Sequence, residues 1–348
     1  MRIVNVFLLC IAFWLAAAAS FSGYIGKYGF LEATPRAGIE VMLNGHAFKP
    51  FVYRQFAPII ARIVTVNTPR SIRDGIVSRV QPTYGYSMLA GNHSNKEKLQ
   101  YIIIYYLNFF LLFCSLFILR SILLGFQCSY ITSILAPILV VLCIPYVQTV
   151  AGYFYDNIEL FFMSLAFLSA FRGKYILLLC LIIPATLNKE SFLFFLPTLY
   201  PIIRHTFCIK KSIYILSIGM FLSGITNLIV KKIYVANAGG LIEYHLWDNI
   251  VAYSKYSFYF LKETTYSVIS PAGFSIVYIV IVVTLFTQIW GKLAENLKQH
   301  ILIVTCINLP LFFLFCGPGE LRNLSFFYVS MTLLVGAVID DKSAYKSV

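Results

Sequence analysis

Charge is the scarcest property of this chain. Only 12% of its 348 residues are Asp, Glu, Lys or Arg, against about 25% in an ordinary soluble domain. Acid is scarcer than base, with 14 Asp and Glu against 27 Lys and Arg and a formal net charge of +13. The eight cysteines form no C-x-x-C pair and the five histidines are scattered. The expectation is therefore no disulfide framework, no zinc site, no metal-ligand set of Cys and His and no cofactor, with a divalent-metal requirement left open by the sequence. There is no D-x-D and no glycine-rich loop before a helix, which disfavours an enzyme using a nucleotide sugar. No basic–aromatic alternation resembles a nucleic-acid platform, so nucleic acid is not an expected partner. The excess of base is better explained by cytoplasmic loops and anionic lipid. No internal repeat and no low-complexity tract is evident.

What fills the chain is apolar surface. It is 59% hydrophobic and 17% aromatic, with a mean hydropathy of +0.81. Apolar runs of about 20 residues recur, the length needed to cross a bilayer as a helix. Backbone polar groups must be satisfied inside the bilayer, and these runs lack the dyad alternation of a barrel. The expected fold class is all-α: a polytopic helical bundle, one transmembrane domain over 1–348, with about ten crossings. The segments are 3–19, 101–119, 129–150, 158–171, 175–187, 191–203, 212–230, 269–290, 299–316 and 323–339, and the two flanking Lys189 are short. With the N-terminus inside, Arg2, Arg120, Arg172, Lys174, Arg204, Lys210, Lys211, Lys292, Lys298, Lys342 and Lys346 fall on the cytoplasmic side. The short external loops carry only Lys189 and Arg322, as the positive-inside rule requires. Residues 21–100 form a first external loop. Within it Arg54, Ala61 and Arg62 with Ile59, Ile60 and Val64 suit a helix lying in the interface. Residues 231–267 form a second external loop. Ala17-Ala18-Ala19-Ser20 looks somewhat like a signal-peptidase site, but a retained first helix fits the rest of the chain better.

The acidic residues are distributed unevenly. Eleven of the fourteen fall on the predicted external side: Glu32, Glu40, Asp74, Glu97, Asp156, Glu159, Glu190, Glu243, Asp248, Glu263 and Glu320. Either acids simply avoid cytoplasmic loops, or they line a polar cavity at the external face. Asp156 and Glu159 are three apart and share a helix face. Asn188, Lys189 and Glu190 lie between two apolar half-helices, in a solvated loop or a polar site. A lysine or carboxylate at the bilayer centre costs roughly 2.5–3.5 kcal/mol, so such groups need a surface or a cavity. A cavity holding carboxylates, Arg and Lys beside interfacial helices suits a lipid-linked sugar phosphate. The tail lies in the bilayer, the phosphate takes Arg or Lys, and a carboxylate acts as general base on the acceptor hydroxyl.

Short motifs, Pro50-Phe51-Val52-Tyr53-Arg54 with Pro58, Tyr155-Asp156, Asn188-Lys189-Glu190 near Pro197, and Glu320-Leu321-Arg322, accompany a first helix and a long external loop that carries interfacial helices and a few acids. In layout the chain resembles bacterial membrane proteins of the GT-C glycosyltransferase superfamily, which use polyprenyl-phosphate sugars. The resemblance implies a catalytic carboxylate soon after the first helix, at Glu40 or Glu32. Arg54, Lys189 and Arg322 would meet the phosphate, while Asp156, Glu190 and Glu320 would orient the acceptor or these cations. Expected partners are a lipid-linked sugar donor, a glycan or lipid-linked acceptor and membrane lipids, in a bacterial inner membrane. A polymerase or ligase acting on lipid-linked glycans would use the same cavity. A transporter or flippase should show repeats or deep polar residues, and a non-enzymatic scaffold predicts that these residues do not converge.

Overall fold

A computed structural model describes residues 2–31, 34–82 and 84–340. Glu32, Asp341, Lys342 and Lys346 lie outside the described residues. In chain order the helices are α1 (Arg2–Tyr28), α2 (Ile39–Leu43), α3 (Phe56–Asn67), α4 (Arg70–Arg79), α5 (Asn95–Gly125), α6 (Thr132–Val147), α7 (Phe154–Phe171) and α8 (Tyr175–Asn188). They continue with α9 (Phe192–Phe195), α10 (Tyr200–Thr206), α11 (Ile209–Ile233), α12 (Leu246–Tyr253), α13 (Ile276–Ile289), α14 (Glu295–Phe315) and α15 (Tyr328–Asp340). Two strands, β1 (Lys262–Thr265) and β2 (Val268–Pro271), make an antiparallel hairpin.

Among the described residues, six helical segments are long and apolar enough to cross a membrane. They are Val4–Tyr28, α5, α7, α11, α14 and Leu321–Asp340. The shorter helices α3, α6, α8 and α13 are also apolar. The protein is thus an all-α integral membrane bundle. Its centre is α7, whose residues from Phe154 to Ala170 are nearly all buried, with α5, α8, α10 and α15 packed around it. A tight turn ends α7: Gly173 takes φ +66°, a left-handed conformation that glycine adopts without penalty.

Several boundaries depart from the expected segments, each for a local reason. The second long helix begins at Asn95 rather than 101, because Ser94 and Glu97 close a capping box: Glu97 N–H donates to Ser94 Oγ at 3.3 Å and Ser94 N–H to Glu97 Oε2 at 2.8 Å. The apolar run 191–203 is not one helix. Pro197 and Pro201 each lack an N–H and crowd the preceding turn, so the chain runs as α9, a 3₁₀ turn over Leu196–Leu199, and α10. The run 269–290 starts inside β2, and α13 begins after Ser275, whose Oγ accepts from Val277 N–H at 3.4 Å. At the end of the bundle that holds the start of α6, Asp340 accepts from Ser129 N–H at 2.9 Å and Thr132 Oγ1–H at 2.5 Å, tying α15 to the start of α6.

The α5–α7 contact tests this packing. A Cβ on Gly125 would overlap the ring of Phe171, which stacks on Phe126 at 4.8 Å. Gly125→Ala is expected to destabilise by roughly 1–3 kcal/mol through overpacking, read as a lowered Tm in detergent. Gly26→Ala, whose Cβ meets nothing within 4 Å, should leave Tm unchanged or raised; equal Tm values for both variants would contradict the packing.

Candidate functional site

At one end of the bundle, α6 and α14 finish, α8 stops and α7 begins. Asparagines lock these ends together. Asn108 on α5 donates to Phe154 O at 2.6 Å and Asn188, at the end of α8, donates to Tyr155 O at 3.0 Å. Asn308 on α14 donates to Asn323 O at 2.9 Å, fastening the turn Leu321–Phe327. Tyr153 N–H donates to Asp156 Oδ2 at 2.9 Å, closing the first turn of α7. A carboxylate in that first turn also suits the helix dipole.

These locks hold a network of charges. Lys189 Nζ lies 2.7 Å from Glu159 Oε2, 3.6 Å from Asp156 Oδ1 and 3.2 Å from Asn323 Oδ1. Arg322 Nη1 reaches the two Asp156 oxygens at 3.3 and 3.4 Å, and its Nη2 reaches Glu320 Oε2 at 3.1 Å. Arg54 grips Glu190 with a fork, Nη2–Oε1 at 3.2 Å and Nε–Oε2 at 3.4 Å, and donates through Nη1 to Tyr155 Oη. The nearly parallel rings of Tyr153 and Tyr155 stack at 5.0 Å. Arg322 lies over Tyr153 at 4.5 Å and Arg54 over Tyr155 at 4.3 Å, which favours both cations.

Arg54, Asp156, Glu159, Lys189 and Arg322 are all buried. Only Glu190 and Glu320 open to the outside, with side chains 28% and 21% exposed. Three cations thus face four carboxylates. Burial disfavours the charged form of Arg54, but the Glu190 carboxylate and Tyr155 outweigh it and raise its pKa above the ordinary arginine value. Burial likewise pushes the Glu190 carboxyl up, yet Arg54 more than offsets this and holds it below the ordinary glutamate range.

Six of the residues singled out from the sequence therefore meet: Arg54, Asp156, Lys189, Glu190, Glu320 and Arg322. Glu40 does not join them. Ile39, Met42 and Leu43 form the buried face of the short α2, and Glu40 lies off that face, partly exposed; none of the hydrogen bonds or ion pairs of the cluster reaches it. Glu32 lies outside the described residues. Glu159, read from sequence only as a face-mate of Asp156, is the closest partner of Lys189. Tyr153, Tyr155, Ser191 and Asn323 were not singled out as site residues; Ser191 Oγ–H donates to Glu159 at 3.2 Å and Asn323 Nδ2 to Glu320 at 2.8 Å. Among the described residues no group of three or more His, Cys, Asp and Glu is arranged to hold a metal ion. No known family, no curated protein and no solved structure matches this chain.

Ionisable groups buried in a membrane bundle are costly and mark function or tightly paired structure. Lys189→Met would leave the buried Glu159 without a cation, an expected loss of roughly 3–5 kcal/mol. Thermal unfolding should show it, with partial recovery in the double variant Lys189→Met/Glu159→Gln. If the Lys189→Met variant were as stable as wild type, the network would not be closed as described.

Acid provides a second test. The folded Glu190 pKa lies below its unfolded value of about 4.3, so the pair with Arg54 contributes stability that is complete above that value. The contribution disappears as pH falls through the depressed folded pKa. Wild-type Tm should therefore drop more steeply than that of Glu190→Gln below the ordinary glutamate range, and parallel curves would refute the pairing.

Proposed function

We propose that the protein is a glycosyltransferase of the GT-C type, moving a sugar from a polyprenyl-phosphate donor to an acceptor hydroxyl at the external membrane face. In this reading the N-terminus is cytoplasmic, the chain crosses a bacterial inner membrane about ten times, and the charged cluster faces outward. The observation that carries the proposal is the meeting of Arg54, Lys189 and Arg322 in one buried cluster at the helix ends.

The donor phosphate engages Arg54 and Arg322 by replacing the half-open carboxylates Glu190 and Glu320. The acceptor oxygen attacks the anomeric carbon, the bond from that carbon to the phosphate oxygen breaks, and the electron pair leaves with the polyprenyl phosphate. The arginines stabilise that charge, so no general acid is needed. The acceptor proton goes to a carboxylate. Glu320 is assigned this part in place of Glu40: Arg322 and Asn323 both bond its Oε2, leaving Oε1 without a hydrogen bond.

Mass spectrometry of lipids retained in nanodiscs tests the reading. Wild type and Glu320→Gln should retain polyprenyl phosphate, while Arg54→Ala and Arg322→Ala lose it. Bulk phospholipid alone in every sample would overturn the donor assignment.

A further inference from the structure

A second polar space lies beside the cluster. A half-open cavity of about 650 Å³ separates the end of α1 from the β-hairpin, within the size range of small-molecule sites. Ser22, Gly26 and Lys27 line it from α1; Glu263, Thr264 and Ser267 line it from the hairpin.

Its chemistry is that of an uncharged, hydroxyl-rich ligand. Lys27 spends all three donors, on Glu263 Oε1 at 2.7 Å, Pro145 O at 2.8 Å and Gln148 O at 2.9 Å. No free positive charge is left for an anion. Glu263 keeps its second oxygen without a hydrogen bond, on a side chain 19% exposed. The hydroxyls of Ser22, Thr264 and Ser267 take part in none of the hydrogen bonds described, and all three residues are exposed. Tyr266 supplies an aromatic wall, held in place by donation from its hydroxyl to Leu142 O at 3.0 Å. Its ring lies so close to α1 that a Cβ on Gly23 would come within 2.6 Å. Such a flat ring suits the apolar face of a sugar.

The cavity also opens on an apolar track. Leu8, Ile11 and Leu15 are 56%, 39% and 62% exposed, and Ala19, Ser22 and Gly26 continue the exposed stripe at three- and four-residue steps along α1. Bulky apolar side chains thus give way to small residues as the stripe enters the cavity. Gln148 and Thr149 link it to the region of the charged cluster. Lys27 and Tyr28 both donate to Gln148 O on the cavity side. On the other side Gln148 Nε2 donates to Asn157 at 3.3 Å and Thr149 Oγ1 to Gly319 O at 2.5 Å, next to Glu320.

We infer that this cavity binds the uncharged, hydroxyl-rich head group of a glycolipid, whose hydrocarbon chain lies along the exposed stripe of α1. That the bound lipid serves as sugar acceptor rests on the transferase reading; its binding does not.

Photolabelling in phosphatidylcholine nanodiscs tests the site, with an alkyl glucoside and an alkyl phosphate that carry the same diazirine. The glucoside should label peptides spanning 22–28 and 263–267, and the phosphate should not. Unlabelled alkyl glucoside should compete and free glucose should not. Gly26→Phe projects into the cavity from an exposed helix position and should cut labelling about tenfold, whereas Gly26→Ala and Glu320→Gln label as wild type. Equal labelling by both probes, competition by free glucose, label spread evenly over the apolar helices, or full labelling of a folded Gly26→Phe protein would each overturn the site. Retention of polyprenyl phosphate is a separate readout, so the glycolipid site and the donor assignment can fail independently.

Discussion

The neutralisation of one lysine governs the geometry of this end of the protein. An ammonium cannot be left unpaired inside an apolar bundle, so the end of α8 must lie where α7 offers acid. Glu159 and Asp156 are on one face of the first two turns of α7, and Lys189 reaches both. That single requirement fixes the relative heights of α7 and α8. Once Asp156 is placed, Arg322 has a partner and the 321–327 turn is drawn in; Asn323 then bridges back to Lys189. Tyr155, in the same turn, receives Arg54 and brings the 51–53 turn with it. A polar beginning of this kind cannot face lipid, which explains why α7 is the most enclosed of the long helices.

Helix length varies across the bundle. At 1.5 Å per residue the 14 residues of α8 rise only about 21 Å, short of the roughly 30 Å hydrocarbon core. The 25 residues of α11, on which α8 packs, rise about 38 Å. Lys189 follows the end of α8 and is buried, while Glu190 beside it is part-exposed; the buried Lys189 pairs act in a medium where they are stronger than at an open surface.

The cluster was legible in the sequence because charge is so scarce: each of Arg54, Asp156, Lys189, Glu190, Glu320 and Arg322 interrupts an apolar context and needs a partner. The capping box at Ser94 and the breaks at Pro197 and Pro201 were equally open to local reasoning, and attention to the length of apolar runs alone passed over them. Glu40 follows the first helix closely in the chain, and in the short α2 Ile39, Met42 and Leu43 turn inward while Glu40 stays part-exposed, outside the hydrogen bonds of the cluster. The hairpin had no local signal. Its turn residues Tyr266 and Ser267 take φ +52° and +64°, conformations usually given to Asn or Gly. They are held there by tertiary contacts of Tyr266 with α1 and α6. Tyr153 is hidden differently, since in a chain with 17% aromatics no single tyrosine stands out, and Tyr155 is marked only by standing next to Asp156.

The division of the cluster into an inner and an outer layer bears on how the proposed donor would bind. Cations already matched by carboxylates are poor phosphate sites unless some carboxylates can leave. Asp156 and Glu159 are enclosed and hold Lys189, so displacing them would strand a buried charge. Glu190 and Glu320 are part-exposed and can move toward water with the least loss of pairing. In the proposed binding, the donor's phosphodiester would bring one negative charge and two free oxygens in place of the two outer carboxylates, so that with Asp156 and Glu159 it would match the three cations charge for charge. The inner pairs stay intact and keep the helix ends in register. The exchange releases Glu320 beside the reacting bond, where a freed carboxylate is able to take the acceptor proton. In the proposed reaction, ground-state neutralisation and catalysis thus use the same side chain in two successive states.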